Sequence, residues 1–190
     1  MGTLYLVRHG QASFGADDYD QLSELGVQQS QRLGEYWRAR GMRFDAVLMG
    51  SLKRHRQTWE GIEQGLQQSH TPLVWPGLNE YDSEAVIRCI HPEPLAKPNT
   101  PELYKHHFGL LRKGLHAWMH GQTQPEGMPT FAQFKQGIQD ALVHVQSNHQ
   151  GDVLLVSSGG PISTAVGMLL QTPPESMVEM NMRIRNTAVT

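Results

Sequence analysis

Three short apolar runs, each ending in a turn that contains glycine, constrain the fold of this chain more than any other feature. They are LYLV at 4–7, the core of FDAVLMGS at 44–51, and DVLLV at 152–156. Each run is too short for a helix and apolar on both faces, which is typical of a strand buried on both sides. Helical patterns follow these runs, and the alternation at both ends of the chain predicts a parallel α/β sheet covered by helices on both faces.

The helical patterns have recognisable ends. Ser23 is a candidate N-cap for a helix running to about Arg40, with Val27, Leu33 and Trp37 as its inward stripe and small residues between them. A second helix is predicted over 52–66. Thr100 and Pro101 read as an N-cap and first helical position for a third, which ends near position 120. Further helices are predicted from near position 130 and from position 161, while 72–78 is predicted to be a loop or short strand and 177–190 to hold one or two strands.

The length of the chain predicts the number of domains. Its 190 residues suffice for one domain with a substantial core, and no linker divides them. We therefore expect a single domain over 1–190: a three-layer, mostly parallel sheet flanked by helices. Segment 79–130 is proline-rich in part and is expected to be a helical and irregular insertion over the C-terminal edge of the strands.

Bulk properties exclude several classes of partner. The net charge is −2 and the isoelectric point about 6.5, which argues against general binding to nucleic acid or to acidic membranes. Cys89 is the single cysteine, so no internal disulfide forms, and no apolar run approaches membrane-spanning length. Without a signal-peptide pattern, the expected location is the cytoplasm. The terminal NTAVT resembles a strand cut short, so we expect the natural chain to continue past Thr190.

The side chains that could bind or react with a ligand are concentrated in three turns, VRHG at 7–10, MGSLKR at 49–54 and VSSGG at 156–160. In an open α/β sheet, ligands bind beyond the carboxyl ends of the strands, where these turns meet. Arginine forks, backbone N–H groups and helix N-termini all favour phosphate. Arg8 and His9 are therefore predicted to face a phosphoryl group together with Arg54.

The quoted turns together resemble a known family. LYLVRHGQAS, SLKRHRQT, LNEYD and VSSGGPI, in this order along nearly the whole chain, resemble the histidine phosphatase superfamily, the phosphoglycerate-mutase-like proteins. The resemblance implies that His9 accepts the phosphoryl group, that Arg8 and Arg54 grip its oxygens, and that Glu80 protonates the leaving oxygen. Each of these residues also has an ordinary structural interpretation. Arg8 and His9 could belong to a capped turn, Arg54 to a solvated basic helix face, and Glu80 could be an ordinary loop glutamate.

The resemblance also implies a phosphate-binding set and one departure from the family pattern. The phosphate-binding set is Arg8, Arg54, Ser158, Gly159, Gln11 and Ser13. The departure is Ser158, which stands where the family usually has a second histidine; a serine still donates one hydrogen bond but carries no positive charge. His55 occupies a position where the family often has alanine, and helical geometry predicts that its side chain points elsewhere.

Three functions are compatible with these residues. The first is a phosphomonoester hydrolase acting through phosphohistidine, with activity reduced because of Ser158. The second is a phosphate-binding pseudoenzyme with a recognition role, and the third a phosphoglycerate-mutase-type phosphotransferase. The expected partner is a small phosphorylated substrate or phosphate. No cofactor or metal is required, because arginines supply the positive charge. His116 and His120 share a helix face without a third ligand, which favours a solvated face over a metal site.

Overall fold

The sheet is parallel, as predicted. In the computed structural model, which describes residues 2–13, 20–96 and 98–190, the strands are β1 (Leu4–Arg8), β2 (Ala46–Met49), β3 (Leu73–Val74) and β4 (Val153–Ser157). They pair in parallel in the order β1-β4-β2-β3, so β4 lies between the first two strands of the chain. Val189 adds one antiparallel bridge to Val7 on the outer side of β1.

Helices cover both faces of this sheet. They are α1 (Glu24–Ala39), α2 (Lys53–Leu66), α3 (Ser83–Arg88), α4 (Pro101–Met119), α5 (Phe131–Asn148), α6 (Gly159–Leu170) and α7 (Pro174–Asn181), with a 3-10 turn at Pro76–Leu78. The side chains of each strand alternate between two apolar cores. On one face, Val7, Val47 and Leu154 pack with Trp37, Phe44 and Ile62. On the other, Leu6, Leu48 and Leu155 pack with Ile138 and Ile162.

The predicted helix starts at Ser23, at Thr100 and near position 130 are confirmed by their caps, whereas α6 begins at Gly159, two residues before the predicted start at Pro161. The Ser23 hydroxyl accepts from the Gly26 N–H at 3.1 Å, and the Thr100 hydroxyl accepts from the Leu103 N–H at 3.3 Å. Thr130 forms a full capping box with Gln133 at the start of α5. These local signals were readable because a cap needs only a side chain and the backbone within one helical turn.

The predicted inward face of α1 is wrong in part. Val27 is 38% exposed, and the buried positions of α1 are Gly26, Ser30, Gly34 and Trp37. The reason is close packing of α1 against α2: a Cβ atom added at Gly34 would lie 2.2 Å from the carbonyl oxygen of Ile62. Small residues, rather than the apolar stripe, therefore determine which face of α1 turns inward.

The prediction of strands over 177–190 is also wrong in part. This segment begins inside α7, whose first helical turn contains Pro174, and Met177 and Val178 are buried. The Met177 side chain lies against Gly167 of α6, where a Cβ atom would approach its Cγ to 2.4 Å. Strand-like pairing is confined to the end of the segment, where the Leu6 N–H donates to the Thr190 carbonyl at 2.9 Å.

Segment 79–130 contains α4 as predicted, and also the short helix α3, which the sequence pattern did not indicate. Asp82 caps α3 by accepting hydrogen bonds from Glu84 and Ala85 at 2.9 and 3.0 Å. Among the described residues, no helix combines the length and the apolar character needed to cross a bilayer.

Candidate functional site

The carboxyl ends of three strands meet at one edge of the sheet. Arg8 at the end of β1 is level with Ser157 of β4, and Met49 of β2 is level with Val156. The turns that follow these strands are therefore neighbours, although they lie far apart along the chain. Two of them lead directly into α2 and α6, whose N-termini point at the same edge.

His9 follows β1 at this edge and is only 4% exposed. Its backbone N–H donates to the Ser157 carbonyl at 2.8 Å, and its own carbonyl accepts from the Asn186 side-chain amide at 3.1 Å. Ring atom Nδ1 lies 2.7 Å from the Gly10 carbonyl oxygen. Because a carbonyl only accepts, this contact places the ring proton on Nδ1 and leaves the Nε2 lone pair available.

The electrostatic surroundings keep the His9 ring neutral. Burial is the main cause, and the Arg54 and then the Arg8 guanidinium groups add to it, so the pKa of His9 falls from its ordinary 6.5 to about 3. The hydrogen bond to Gly10 opposes this shift but does not reverse it. A neutral imidazole at neutral pH has the protonation state that a nucleophile requires.

Arg54 and Arg8 are held by different partners. Arg54 in the first turn of α2 is 7% exposed, and its Nη1 lies 2.7 Å from Asp20 Oδ1. The other carboxylate oxygen of Asp20 accepts from the Lys53 N–H at 2.8 Å, so one side chain caps α2 and orients Arg54. Arg8 is half-buried, and its Nη1 donates to the Ile184 carbonyl in the C-terminal segment.

Glu80 is half-buried beside the start of α6. Its Oε2 accepts from the Gly160 N–H at 3.2 Å, and a Cβ atom at Gly160 would lie 2.2 Å from its Oε1. Glycine is thus required at 160 for the carboxyl group to rest on the helix end. Desolvation raises the pKa of Glu80 above its ordinary value, against the opposing effects of the Gly160 N–H and of both arginines. The effects of Arg8 and Arg54 on both His9 and Glu80 place these four groups in one electrostatic neighbourhood.

Ser158 and His55 form a buried pair in the same neighbourhood. His55 Nε2 lies 2.7 Å from Ser158 Oγ, and both residues are 0% exposed. The centroid of the His55 ring lies 5.8 Å from that of His9. The prediction that helical geometry turns His55 away from the site is therefore wrong. As the third residue of α2, it points back toward the N-terminal end of the helix, into the space beside β2 and β4.

A glycine makes room for His55. A Cβ atom at Gly50, the residue after β2, would lie 2.3 Å from His55 Nδ1 and 2.7 Å from Asn79 Oδ1. Burial, then the neighbouring His9 and Arg54, hold the pKa of His55 well below its ordinary value. The sequence contains histidine at 55 and serine at 158, but only the structure shows that these two side chains, 103 positions apart, are in contact.

Several supporting residues hold the turns in place, and sequence reasoning missed their roles. Thr58 is fully buried; its hydroxyl donates to the Arg54 carbonyl at 2.7 Å and accepts from the Gly10 N–H at 3.0 Å. Gln57 accepts from the Leu22 N–H at 2.8 Å, and Asn79 accepts from the Ser51 N–H at 2.7 Å. The spacing of Gln57 and Thr58 after Arg54 was the available signal. Each side chain ties one turn to another.

The remaining predicted binding residues make contacts within the protein. The Gln11 side chain accepts from the Ser23 hydroxyl at 2.9 Å, and the Ser13 N–H donates to the Gln21 carbonyl at 2.7 Å. Gly159 begins α6, and a Cβ atom there would lie 2.3 Å from Asn181 Oδ1. A phosphate-binding role for these three residues stays a prediction.

Comparison with known proteins yields one family match and several structural relatives. Residues 4–190 match the profile of the Histidine phosphatase superfamily (branch 1). A segment is 33% identical over 84 residues to the "Broad-specificity phosphatase YOR283W" of Saccharomyces cerevisiae, spanning 40% of this chain and 36% of the yeast protein. The chain therefore covers about a third of that relative's length.

Solved structures share the fold at lower identity. Bacillus stearothermophilus YhfR superposes with a TM-score of 0.67 at 21% identity, covering 100% of this chain and 90% of its own. Phosphoserine phosphatase from Entamoeba histolytica, solved in complex with 3-phosphoglyceric acid, superposes with a TM-score of 0.66 at 20% identity, covering 100% of this chain and 89% of its own.

Proposed function

Since this chain belongs to the histidine phosphatase superfamily, branch 1, we propose that it hydrolyses phosphomonoesters through a phosphohistidine at His9. The observation that carries the proposal is the buried, neutral imidazole of His9 flanked by the guanidinium groups of Arg8 and Arg54. Such a site attracts a phosphoryl dianion to the two cations and presents it to an uncharged nucleophilic nitrogen.

The first step transfers the phosphoryl group to the enzyme. His9 Nε2 attacks phosphorus while the bond from phosphorus to the ester oxygen breaks. Glu80, protonated through its raised pKa, gives its proton to the leaving oxygen, which would otherwise depart as an alkoxide. Arg8 and Arg54 stabilise the negative charge on the equatorial oxygens during transfer.

The second step returns the enzyme to its starting state. The Glu80 carboxylate now takes a proton from a water molecule, whose oxygen attacks phosphorus while the bond to His9 Nε2 breaks. Inorganic phosphate leaves, and Glu80 is again protonated. The same side chain thus acts as acid and then as base, and no additional proton donor is needed.

Hydrolysis is favoured over phosphotransfer between substrate positions by the composition of segment 79–130. A mutase has to exclude water while its substrate reorients, which calls for a lid with its own phosphate ligands. The arginines of this segment are Arg88 and Arg112. Arg112 Nε donates to Glu179 at 2.8 Å, and Arg88 Nη1 lies 4.0 Å from Glu84 Oε2, so each arginine is paired with a carboxylate.

The decisive experiment measures hydrolysis of 4-nitrophenyl phosphate by the wild type and by His9→Ala. We expect the variant to lose at least about a thousandfold in kcat, as expected for loss of a nucleophile. His149→Ala is the matched control, because His149 follows α5 near the start of β4, at the opposite edge of the sheet. Equal rates for wild type and His9→Ala would overturn the proposal, and phosphate binding without turnover would instead support a recognition role.

A further inference from the structure

The Ser158 hydroxyl has an unusual hydrogen-bond partner for its position. Ser158 stands at the N-cap of α6, where a serine hydroxyl commonly accepts a backbone hydrogen bond from the first turn, yet it makes no such bond. It contacts His55 Nε2 at 2.7 Å instead. A fully buried polar pair at a phosphoryl site, with the cap left unmade, indicates that the hydroxyl has another task.

The position of the pair suggests that task. The His55 ring lies within 5.8 Å of the His9 ring between centroids, and Arg54, its neighbour in the first turn of α2, influences both histidines. We assign the ring proton of neutral His55 to Nε2, because Nδ1 is buried without a hydrogen-bond partner among the described residues; Nε2 then donates to Ser158 Oγ. The hydroxyl proton of Ser158 is then directed away from His55, and a phosphoryl oxygen held at His9 is the nearest acceptor that the proposed chemistry supplies.

We propose that His55 and Ser158 together take the place of the second imidazole expected in this family: Ser158 donates a hydrogen bond to the phosphoryl group, and His55 fixes the direction of that bond. Ser158 is then the substrate-contacting residue and His55 a positioning residue. The proposal rests on the proposed function for the identity of the bound group, but its geometry comes from the two residues alone. No proton is transferred between them, so the pair adds no charge to the site.

The test is a double-mutant cycle on His55→Leu and Ser158→Ala, with 4-nitrophenyl phosphate turnover and orthovanadate affinity as readouts. Leucine keeps bulk at position 55 but removes the hydrogen bond. We expect Ser158→Ala to lower kcat on the order of a hundredfold, as for loss of one oxyanion-hole donor. His55→Leu should have a similar effect, and the double variant should be little worse than either single one, because the two residues act as one unit.

The outcomes separate this proposal from the proposed function. Additive losses in the cycle would overturn the pairing, because a merely structural His55 would act independently of Ser158. His55→Gln, whose amide can still donate to Ser158 Oγ, should retain more activity than His55→Leu at equal thermal stability. If the wild type binds orthovanadate without hydrolysing the ester, the hydrolase proposal fails, while the same cycle in vanadate affinity still tests the pair.

A swap of residues gives a second, independent check. His55→Ala combined with Ser158→His moves the imidazole to the position expected in the family and vacates the space it needs. We expect this double variant to exceed both single variants in kcat. Ser158→His alone should be impaired, because His55 already fills the adjoining buried space at 2.7 Å. A double variant whose kcat does not exceed that of His55→Ala alone would contradict the inference that the pair takes the place of one imidazole.

A different group of residues, away from the phosphoryl site, carries a second inference. His116 and His120 lie one turn apart on α4, and the structure supplies the third ligand that the sequence did not suggest, Glu175 of α7. Glu175 Oε1 lies 2.9 Å from His120 Nε2 and 3.8 Å from His116 Nδ1, and all three candidate ligand atoms lie within 4.8 Å of one another. Tetrahedral zinc with bonds of about 2.0–2.1 Å separates its ligands by about 3.3 Å.

We infer that these three side chains bind a divalent transition-metal ion such as Zn²⁺ that joins α4 to α7. Two imidazoles and one carboxylate form a borderline ligand set suited to zinc, and their exposed fractions of 35%, 44% and 52% leave room for a water ligand. The Arg112–Glu179 ion pair at 2.8 Å already holds the same two helices together, so little rearrangement is needed to close the site. The ion would stabilise the helix that leads into the C-terminal segment beside Arg8.

The experiment is titration of the metal-free protein with Zn²⁺ alone, by calorimetry and by thermal unfolding. We expect one equivalent to bind and the midpoint of unfolding to rise with Zn²⁺ concentration. His120→Ala and Glu175→Gln should each weaken binding at least about tenfold, in line with loss of a zinc-site group. His106→Ala, an exposed histidine on the same helix outside the cluster, should leave it unchanged. Binding that is absent, or that survives His120→Ala, would overturn this site.

Discussion

At the residue scale, the charges of Arg8 and Arg54 act on the buried imidazole of His9 and on the carboxyl group of Glu80. The arginines lower the pKa of His9, while their charge also opposes the raised pKa of Glu80. Desolvation is the largest cause in both cases, so it lowers the pKa of the histidine and raises the pKa of the carboxyl group. The environment, rather than the residue type, separates the two roles.

Glu80 offers the sharpest residue-scale prediction. Glu80→Gln should reduce kcat/KM by about a hundredfold, because the leaving oxygen loses its proton donor. In the wild type, kcat/KM should fall as the pH rises through the raised pKa of Glu80, since the acid form disappears. The variant should lack that alkaline limb. Rates measured from about pH 5 to 9 check this, and an unchanged alkaline limb in the variant would assign the acid to another group.

At the element scale, the turns between strands and helices depend on close approach. Gly50 separates β2 from the start of α2, and its missing side chain leaves space for both His55 and Asn79. Gly160 does the same for Glu80 at the start of α6. In both places glycine serves the packing of a functional side chain, since neither residue has a positive φ.

Gly50→Ala should therefore damage the site while leaving the elements intact. The added methyl group would displace the His55 ring, and we expect kcat for 4-nitrophenyl phosphate to fall at least tenfold. Gly109→Ala, within α4 and with nothing within 4 Å of an added Cβ atom, is the matched control. It should stabilise the protein by about 0.5–1 kcal/mol, as is usual in helix interiors, with activity unchanged. Full activity in Gly50→Ala would show that the ring tolerates displacement.

The capping box of α5 allows a stability prediction separate from catalysis. Thr130 Oγ1 accepts from the Gln133 N–H at 3.2 Å, and the Gln133 side chain accepts from the Thr130 N–H at 2.9 Å. Thr130→Ala should lower the free energy of unfolding by about 1 kcal/mol, because one N-terminal N–H loses its partner. Denaturant titration measures the change. An unchanged free energy of unfolding in Thr130→Ala would contradict this prediction.

At the scale of the whole molecule, the buried histidines couple stability to pH. The unfolded chain binds a proton at His9 below about pH 6.5, but the folded protein does so only near the lowered pKa of about 3. Stability therefore falls as pH drops through this window, and His55 acts in the same direction. Glu80 acts oppositely, because its raised pKa lets the folded state hold a proton that the unfolded state releases.

The net expectation is a midpoint of thermal unfolding that declines between about pH 7 and 5. His9→Asn should flatten this decline, because asparagine does not titrate. The comparison uses the slope with pH rather than the absolute midpoint, so any packing defect in the variant does not affect it. Identical slopes for wild type and His9→Asn would mean that His9 takes up its proton equally in both states.

The elements were predictable because their signals are local. Apolar runs bounded by glycine, N-cap hydroxyls at 23, 100 and 130, and a proline opening α4 all act within one turn of the backbone. The inward face of α1 and the helix at Pro174–Asn181 were not predictable in this way. Both depend on how closely another helix approaches, through Gly34 against α2 and Gly167 against Met177.

The sequence by itself therefore determined the order of the strands and of the helices other than α3 and α7, and the types of side chain at each strand end, because short-range sterics and hydrogen bonding act along the chain. Only the tertiary structure decided that His55 meets Ser158, that Asp20 orients Arg54, and that Glu175 joins two histidines of α4. Contacts between residues 34 to 103 positions apart depend on helix rotation and on glycine-sized gaps, which no local pattern specifies.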